Sequence, residues 1–593
     1  MLRRLGRLCA VLLAAAIPLS AGADNLPLLG VSGGGAPCTY YVDSVAGSDS
    51  NAGTTIGSPF ADFQYFINNT VPNGTVICLK RGSYFTGANA DLIIGVPGSL
   101  VNNVTVKAYG TGANPIIDAS DAISPSCWSL VASNTYSCTV TGPGTSWATP
   151  YGSWSINGPF IELFECKTAP CTPVAAAGND TFLANETSLA TVESTPGSYY
   201  IASMTSTSLT IDYQASDSSN PGTNGYTVTY SHRPNGIALI GLNNRIVSVT
   251  AKKNADLSGT CNLENGNDGG SPNLQDIECD QGSKHNLIVP SGAYVANSRL
   301  YDAYCPSNVC GGFGNMFVAF DQTAQNLPIA LSNVFFYNST GLSGSSITAV
   351  YAHTGSGTMG AFSLSGGEMK AVGGGAFGGA EVDDTSSVAY SNFVCNQLAN
   401  CLTLDTSLTV SGVQAVSSVT NNTQITVNAS NVTLSFSGLK LCASNMSNGA
   451  VWMSGNTGIT ISDTGSLYYV ASPNNNTTIV FNSNATSAAS ALTANSDTFD
   501  GAVNFIAPYG LGGTGWSFAG GATAATANSY VAADQVNRWE LNGSTYTSLA
   551  AWQAAVAPQD SAALATGSAS AACTLPSWAM APANDNRLMR KTA

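Results

Sequence analysis

The chain has 593 residues, with 19 Lys and Arg against 34 Asp and Glu and a net charge of −15. This acidic balance argues against a nucleic-acid partner, because phosphate backbones are bound by clustered basic residues. Only 9% of the residues are charged, so Ser, Thr, Asn and Gly must supply most of the polar surface. Such a surface is compatible with sugar ligands but does not identify them.

The first 23 residues have the features of a secretory signal peptide. Three arginines precede an apolar run from Leu8 to Leu19, and Ala23 closes a small-residue cleavage site. Loss of these arginines with the leader leaves 16 basic residues against 34 acidic ones. We expect a secreted protein, extracellular or periplasmic, without a later transmembrane segment, because no other apolar run is long enough to span a bilayer.

The cysteines predict disulfide bonds. One of the 15, Cys9, lies in the signal peptide, and the remaining 14 are an even number in an exported chain. The predicted pairs are Cys38/Cys78, Cys127/Cys138, Cys166/Cys171, Cys261/Cys279, Cys305/Cys310 and Cys395/Cys401, which leave Cys442 and Cys573 over. Metal ligation is the alternative, but no pair has the two-residue spacing of a zinc site.

The first ordered segment follows a leader at 24–37 that we expect to be flexible. Residues 40–42 are typical of a short strand, and a loop rich in Gly, Asp and Asn follows. Ser58 as N-cap and Pro59 in the first turn predict a helix, whose aromatic residues would lie on one apolar face. A second strand is predicted at 75–80.

This order of elements, with the sequences YYVD, GSDSN, SPF and TVICLKRGSY, resembles the N-terminal cap of secreted right-handed parallel β-helix proteins. These proteins form the pectate-lyase-like superfamily, which includes many polysaccharide lyases. The resemblance implies that 38–120 contains the cap and the first coils. Each following coil would add one set of strands in parallel register.

The middle of the chain divides into two regions. Residues 121–235, rich in Trp, Cys and turn residues, are predicted to form a β-rich insertion. Short apolar runs recur in 236–530, for example at Val432, Ile459 and Ile479, and their uneven spacing fits coils with loops of different length.

The C-terminal part has a second local signature. Asn542-Gly543 predicts a hairpin turn, and Ser548 is placed to cap a helix that carries Leu549 and Trp552. This ending, within 531–565, resembles the C-terminal closure of the same proteins, and 566–593 would be a tail. The resemblance therefore implies an all-β fold: a right-handed parallel β-helix (solenoid) with an N-terminal capping helix, a β-rich insertion and a C-terminal hairpin and helix closure.

The densest group of ionisable residues begins at Asp276. On a strand, Asp276, Glu278 and Asp280 would alternate to the same outer face. Three carboxylates so arranged repel one another unless a cation or a basic group lies among them. Ca²⁺ is the natural candidate because it prefers carboxylate oxygens.

The resemblance to lyases of uronic-acid polymers implies further roles nearby. Such enzymes need a base for the C5 proton, a group that neutralises the sugar carboxylate, and an acid for the leaving oxygen. No catalytic motif of the family matches these positions, so we assign the roles from charge density and coil geometry: Lys284 or His285 as the base, Arg299 as the neutralising group and Tyr301 as the acid. Asp302 lies one coil beyond Asp280 and could contact the substrate. The alternative is that these side chains are solvated strand faces and salt-bridged loops.

Asp383 and Asp384 form a second candidate site, as the carboxylate pair of an inverting glycoside hydrolase. Adjacent residues of a strand point to opposite faces, however, so a solvated turn is the competing interpretation.

Two classes of function remain open from the sequence. The first is an exported polysaccharide lyase, or alternatively a hydrolase, that cleaves a polysaccharide along the side of the solenoid. The second is a non-catalytic extracellular or envelope scaffold that binds glycans, which the small number of basic residues favours. The fold resemblance supports the enzyme only by analogy.

Overall fold

The computed structural model describes residues 36–566, apart from 88, 97, 142–160, 174–177, 206, 232, 256–258, 264–269, 306–312, 322–326, 340–345, 355–359, 372–376, 384–386, 399, 418–422, 444–448, 454–456, 471–477, 484–489, 502–505, 512–515, 532–538 and 563. The protein is a right-handed parallel β-helix, as the sequence predicted. Three parallel ladders of strands run along its axis, and each coil contributes in turn to the first, second and third ladder.

The first ladder pairs β1 Tyr40–Val42, β2 Val76–Lys80, β5 Thr105–Tyr109, β17 Arg245–Val247, β20 Asn273–Gln275, the first halves of β23 Tyr294–Tyr304, β25 Ile329–Asn338 and β27 Phe362–Ala371, then β29 Val388–Ser391, β32 Leu408–Ser411, β35 Thr433–Ser437, β38 Thr460–Thr464, β41 Ser490–Asn495 and β44 Trp516–Ala519.

The second ladder pairs β3 Tyr84–Phe85, β6 Ile116–Asp118, β18 Thr250–Lys252, β21 Glu278–Ser283, the second halves of β23, β25 and β27, then β30 Val394–Asn396, β33 Gln414–Ser417, β36 Lys440–Ala443, β39 Leu467–Val470, β42 Thr498–Gly501, β45 Ser529–Val531 and β48 Leu564–Thr566.

The third ladder pairs β4 Leu92–Ile94, β16 Ile237–Leu239, β19 Cys261–Asn262, β22 His285–Pro290, β24 Phe313–Asp321, β26 Ser346–Thr354, β28 Phe377–Val382, β31 Asn400–Leu404, β34 Ile425–Val427, β37 Val451–Met453, β40 Thr478–Ser483, β43 Ile506–Leu511 and β46 Trp539–Leu541. The antiparallel strand β47 Ser544–Tyr546 closes this ladder.

A one-residue bend joins the first ladder to the second. The bend residue has a left-handed backbone in successive coils, with φ of 58° at Ser248, 52° at Asp276, 50° at Asn297 and 54° at Asn333. Short polar side chains and glycine tolerate this conformation best. This explains why Asn, Gly, Ser and Asp recur once per coil between the apolar strands.

The interior of the coils is apolar, and disulfides cross it. Alternating residues of each strand point inward and stack on their counterparts in the next coil. Cys261 of the third ladder and Cys279 of the second are bonded inside the solenoid, as are Cys395 and Cys401. The predicted pairs Cys38/Cys78, Cys127/Cys138 and Cys166/Cys171 are also confirmed. Cys305 and Cys442 are disulfide-bonded, whereas Cys310 and Cys573 lie outside the described residues.

The N-terminal helix begins later than predicted. Helix α1 spans Gln64–Asn68 and has no side-chain cap, so the prediction of Ser58 as its N-cap is wrong. The physical reason is that Phe60 is extended and pairs with β1, since its amide donates to Tyr41 O at 2.9 Å. Phe63 and Phe66 nevertheless face the core as expected.

The C-terminal closure matches its prediction. The hairpin between β46 and β47 turns at Asn542 and Gly543, both with positive φ. A helix spans Leu549–Val556, and the Ser548 hydroxyl accepts a hydrogen bond from the Ala551 amide at 3.2 Å. Trp552, on the inner face of this helix, is buried and covers the last coil.

The chain leaves the solenoid after β6 and returns at β16. Between them lie β7 Ser120–Ala122, a 3-10 turn at Pro125–Cys127, β8 Ser129–Ala132, β9 Thr135–Thr141, β10 Leu163–Cys166, β11 Asp180–Phe182, β12 Ala184–Asn185, α2 Leu189–Ser194, β13 Ser198–Met204, β14 Ser208–Gln214 and β15 Thr227–Ser231. These strands form two small, mainly antiparallel sheets with their own apolar core. We call this segment the insertion and number the C-terminal helix α3. Among the described residues, no helix is both long and apolar enough to cross a membrane.

The last coils contain buried carboxyls that make stability sensitive to pH. Asp497 Oδ1 accepts the Ser466 amide at 2.9 Å, while its Oδ2 has no hydrogen-bond partner among the described residues. Burial, and then the charge of Asp463, raise the pKa of Asp497 to about 8. A carboxyl whose pKa is raised by folding stabilises the protein at low pH, and that contribution is lost as the pH rises from the unfolded value toward the folded one.

We therefore expect the thermal midpoint to fall between about pH 5 and about pH 8, and the Asp497→Asn variant to show a smaller fall. Asp217→Asn is the matched control, because Asp217 is exposed and hydrogen bonds from Ser219 and Tyr226 lower its pKa to about 2, outside this range. Equal slopes in the wild type and the Asp497 variant would contradict the assignment.

Candidate functional site

Polar and aromatic side chains line the outer face of the second ladder over its first eight coils. They flank the inward residues Ile117, Ala251, Cys279, Leu300 and Phe336, which lie in the core. We call this set the outer strip, and it consists of Tyr84, Asp118, Lys252, Glu278, Asp280, Arg299, Tyr301, Tyr337, Glu368 and Asn396. The coil repeat of about 4.8 Å places successive members side by side.

Two carboxyls with different environments lie at the centre of the outer strip. Glu278 forms an ion pair with Arg299 of the next coil, with Oε2 and Nη1 3.2 Å apart. Asp280, two residues along the same strand, is only 1% exposed. Burial raises its pKa well above the usual range, and the neighbouring Glu278 carboxylate adds to this shift. Glu278 is thus paired with a cation, whereas Asp280 is favoured in its protonated form.

A buried ion pair lies next to these carboxyls. Lys252 pairs in register with Asp280 on one side and with Asp118 on the other. Its Nζ is 3.4 Å from Asp118 Oδ2 and 5.2 Å from the centre of the Tyr84 ring. The Tyr84 hydroxyl and the Ser120 hydroxyl both donate to Asp118. Burial alone would raise the pKa of Asp118, but Lys252 and these donors lower it to about 2.

Aromatic rings continue the outer strip beyond Arg299. Tyr301 and Tyr337 stack, with ring centres 5.6 Å apart and planes inclined by 19°. The Tyr337 hydroxyl donates to Glu368 Oε2 at 2.8 Å, and Asn396 donates to the other oxygen at 2.9 Å. Burial raises the pKa values of Tyr301 and Glu368. This end of the strip therefore combines hydrogen-bonding and stacking groups with one cation, Lys370, whose Nζ lies 6.0 Å from the centre of the Tyr337 ring.

The outer strip is enclosed although it lies on the outer face of the solenoid. Five of its side chains are no more than 3% exposed: Asp118, Lys252, Asp280, Tyr301 and Glu368. The Glu278 and Arg299 side chains remain 22% and 18% exposed. The central carboxyls thus lie in a sheltered site that reaches solvent beside the Glu278–Arg299 pair.

The insertion packs against the corner that follows the second ladder. Lys253, at this corner, pairs with Asp180 of the insertion at 2.7 Å, and Gln281 donates to the Asp180 carbonyl at 2.9 Å. The rings of Phe182 and Tyr304 lie 5.5 Å apart across the same contact. These contacts place the insertion along one edge of the outer strip.

The three carboxylates predicted to share one face are not equivalent. Glu278 and Asp280 lie together in the outer strip, but Asp276 is the bend residue before it, with a φ of 52°. The Asp276 carboxylate accepts a hydrogen bond from Ser248, the bend residue of the preceding coil, at 2.8 Å. The expectation of one continuous acidic row is therefore wrong, because the chain turns a corner at Asp276.

The arrangement of these carboxyls does not fit calcium. Asp276 lies at the corner and hydrogen-bonds Ser248, and Glu278 is paired with Arg299, so the three carboxylates do not converge on one point. In the part of the chain that the structure describes, no group of three or more His, Cys, Asp or Glu is arranged to hold a metal ion.

Lys284 and His285 lie apart from Arg299 and Tyr301. Lys284 is a corner residue with a φ of 71°, and burial lowers its pKa. His285 begins β22 in the third ladder, where its Nδ1 lies 3.1 Å from the Asn315 carbonyl. Burial, followed by the Lys284 charge, lowers the pKa of His285 to about 3. The predicted convergence of these two residues with Arg299 is wrong, because the chain turns from the second ladder to the third between them.

The remaining predicted site residues lie outside the outer strip. Asp302 follows Tyr301 with a φ of 46°, and its Oδ1 accepts the amide and the hydroxyl of Ser339, both at 2.7 Å. It therefore ties two coils together. Asp383 follows β28 in the third ladder, where its amide donates to the Ala352 carbonyl at 3.1 Å. Asp384 lies outside the described residues.

Sequence reasoning missed Asp118, Lys252, Tyr337 and Glu368. They are scattered over 250 residues of sequence, and only the register of the ladder brings them together. The sequence does contain a pattern that could have identified them. Three of them, Asp118, Lys252 and Tyr337, directly follow a residue that points into the core. Finding it required alignment of the coils across the insertion.

Comparison with known proteins leaves the family open. No family model matches the chain, and no curated protein matches it. A solved complex of XylC with xylose is 10% identical over 86% of this chain and 72% of its own, with a TM-score of 0.39. A structure described as a glycoside hydrolase is 9% identical over 78% of this chain and 96% of its own, with a TM-score of 0.32. A GH136 lacto-N-biosidase from Eubacterium ramulus is 10% identical over 85% of this chain and 68% of its own, with a TM-score of 0.27. The fold assignment therefore rests on the strand pairing of the protein itself.

Proposed function

We propose that this protein is an exported glycoside hydrolase whose acid and base are Asp280 and Glu278. The observation that carries the proposal is the contrast between two neighbouring carboxyls: Asp280 is buried, which favours its protonated form, whereas Glu278 is partly exposed and forms an ion pair with Arg299. Pairs of titratable groups whose environments separate their proton affinities are typical of acid–base catalysis.

The proposed chemistry uses both carboxyls. Asp280 donates its proton to the glycosidic oxygen as the bond to the leaving sugar breaks. The Glu278 carboxylate either takes a proton from the attacking water or attacks the sugar carbon itself. In the second case a glycosyl ester of Glu278 forms, and water then hydrolyses it with deprotonated Asp280 as the base. Arg299 lies beside Glu278 and balances its charge in the free enzyme. The two carboxyls contact each other in this structure, closer than the roughly 5–5.5 Å of retaining or 6.5–9.5 Å of inverting glycosidases. Substrate entry must therefore separate them.

The shape and chemistry of the outer strip favour a glycan as the substrate. The strip runs along the solenoid axis with a repeat of about 4.8 Å, which is comparable to the length of one pyranose residue. Tyr301 and Tyr337 supply aromatic rings, and Glu368 and Asn396 supply hydrogen-bonding groups, beside the central carboxyls. All four side chains are buried in this structure, so a sugar reaches them only when the site opens. Sugars are bound by this combination of stacking and polar contacts.

Hydrolysis accounts for these groups better than β-elimination, the reaction that the sequence resemblance implied. Elimination needs an unprotonated base close to the sugar. Burial lowers the pKa of Lys252, but the neighbouring Asp118 and Tyr84 have the larger effect and raise this pKa above its usual value. Burial raises the pKa of Tyr301. Neither residue is suited to remove a proton near neutral pH. Lys284 lies at the corner that follows the second ladder, and His285 lies in the third ladder.

A glycan panel tests the proposal. We expect the purified protein to release new reducing ends from at least one neutral or uronate-containing polysaccharide, without the ultraviolet absorbance of an unsaturated uronate. Appearance of that absorbance would instead establish a lyase. Binding to a glycan without any product would establish the non-catalytic alternative.

A further inference from the structure

A row of three charged residues crosses the outer strip at its centre. Asp118, Lys252 and Asp280 occupy the same register position in β6, β18 and β21, so Lys252 lies between two carboxyls. Neighbouring positions in a parallel ladder are about 4.8 Å apart. Both carboxyls are therefore within reach of the same ammonium group.

The ammonium is engaged by only one of these carboxyls. Lys252 Nζ lies 3.4 Å from Asp118 Oδ2, whereas Asp280 Oδ1 is buried without a hydrogen-bond partner among the described residues. Asp118 is held in the charged form by three donors besides Lys252: the Ser120 amide at 3.0 Å, the Ser120 hydroxyl at 2.6 Å and the Tyr84 hydroxyl. A carboxylate with this many donors is a strong competitor for the cation.

We propose that Asp118 is a positioning residue that holds the Lys252 ammonium away from Asp280, so that Asp280 can serve as the acid. This inference rests on the proposed function. Asp118 does not touch the substrate, and it acts through Lys252. Among the described residues, two carboxyls remain near the ammonium once the Asp118 charge is removed. Asp180 of the insertion also acts on Lys252, but it is already paired with Lys253 at 2.7 Å. The ammonium therefore turns to Asp280, its other neighbour in the row, and the ion pair that forms there removes the proton from the acid.

Other charged groups near Asp280 also influence whether its carboxyl is ionised. Glu278 and Asp302 disfavour its ionisation, and Lys252 favours it. Tyr301 faces it from β23 as a neutral phenol. Lys253 is occupied by Asp180 of the insertion at 2.7 Å. Lys252 is therefore the cation whose position decides the charge of Asp280.

The test compares Asp118→Asn with the wild type by infrared spectroscopy of the protonated Asp280 carboxyl, assigned by difference against Asp280→Asn. We expect the band of the Asp118 variant to disappear at a pH lower by about 1–3 units, the effect of an opposite charge at close range. The double variant Asp118→Asn, Lys252→Met should restore the band at neutral pH. The descending, high-pH limb of kcat/KM should shift in the same direction.

Asp217→Asn is the matched control. Like Asp118, Asp217 accepts hydrogen bonds from the amide and hydroxyl of the serine two residues later, Ser219, and from a tyrosine hydroxyl, that of Tyr226. Unlike Asp118, it is exposed on the insertion. This variant should leave the Asp280 band unchanged.

The inference is overturned if Asp118→Asn leaves the band at its wild-type pH. If that variant does not fold, the Lys252→Met variant replaces it as the test. Its Asp280 band should persist to a higher pH than in the wild type. An unchanged band in this variant overturns the inference. The infrared readout does not need turnover. A shifted band without any glycan cleavage would thus reject the proposed function and support the role of Asp118. Glycan cleavage with an unshifted band would support the proposed function and reject the role of Asp118.

Discussion

Replacing Asp280 by Asn is expected to lower kcat on a natural glycan by about 10²–10⁴-fold, the usual contribution of a positioned general acid. The asparagine amide fills nearly the same volume but has no proton to give to the leaving oxygen. The loss should be much smaller on an aryl glycoside with an acidic leaving group, because that group departs without protonation. Initial rates on the two substrate types measure the difference.

Glu278→Gln should behave differently. It removes the carboxylate that is paired with Arg299 at 3.2 Å, so both substrate types should lose activity to a similar extent. Glu193→Gln is the matched control, because Glu193 is exposed on α2 of the insertion. Near wild-type kcat in either site variant, with the protein folded, would contradict the assignment of the carboxyl pair.

Trp552→Ala is expected to cost about 3–5 kcal/mol of stability in the last coils, as for other large-to-small changes in a core. The Trp552 ring lies 5.1 Å from that of Phe518 and 6.4 Å from that of Trp539, between centres. Its Nε1 donates to Asp560 Oδ2 at 2.7 Å. The alanine variant loses both the packing and a donor to a buried carboxyl.

Hydrogen exchange of β44 and β45, together with sedimentation, tests this prediction. Exchange should become faster in these strands but not in β2 or β5 at the other end. The variant should also self-associate, because an uncovered last coil exposes unpaired strand edges. The Trp552→Phe variant keeps most of the packing. It should lose only about 1–2 kcal/mol of stability, because only the hydrogen bond to Asp560 is removed. Unchanged exchange in Trp552→Ala would show that α3 does not close the solenoid.

The two ends of the solenoid could be predicted from the sequence because their signals are local. The Asn542-Gly543 turn and the Ser548 cap each depend on a few adjacent residues, and both are confirmed. The misplaced start of α1 shows the limit of such signals. Ser58 and Pro59 have the composition of a helix N-terminus, but pairing of Phe60 with β1 keeps the chain extended there.

The site could be predicted only in part, because its geometry depends on bends and register. Glu278, Asp280 and Arg299 were identified from their density of charge, and the structure brings them together. The acidic residues Asp276, Glu278 and Asp280 alternate as they would in a continuous strand. A single residue with a left-handed backbone does not change this sequence pattern, so the bend at Asp276 could not be predicted. Asp118 and Lys252 were missed because the whole insertion separates them in the chain while the ladder makes them neighbours.

The most direct test of hydrolysis by Asp280 and Glu278 is the origin of the oxygen in the product. Cleavage of a susceptible glycan in isotopically labelled water should place one labelled oxygen at each new reducing end, because hydrolysis transfers water to the sugar carbon that loses the leaving group. The incorporation should be lost with Glu278→Gln. Products without the label, or with an unsaturated sugar at the new end, would contradict a hydrolytic site built on Asp280 and Glu278.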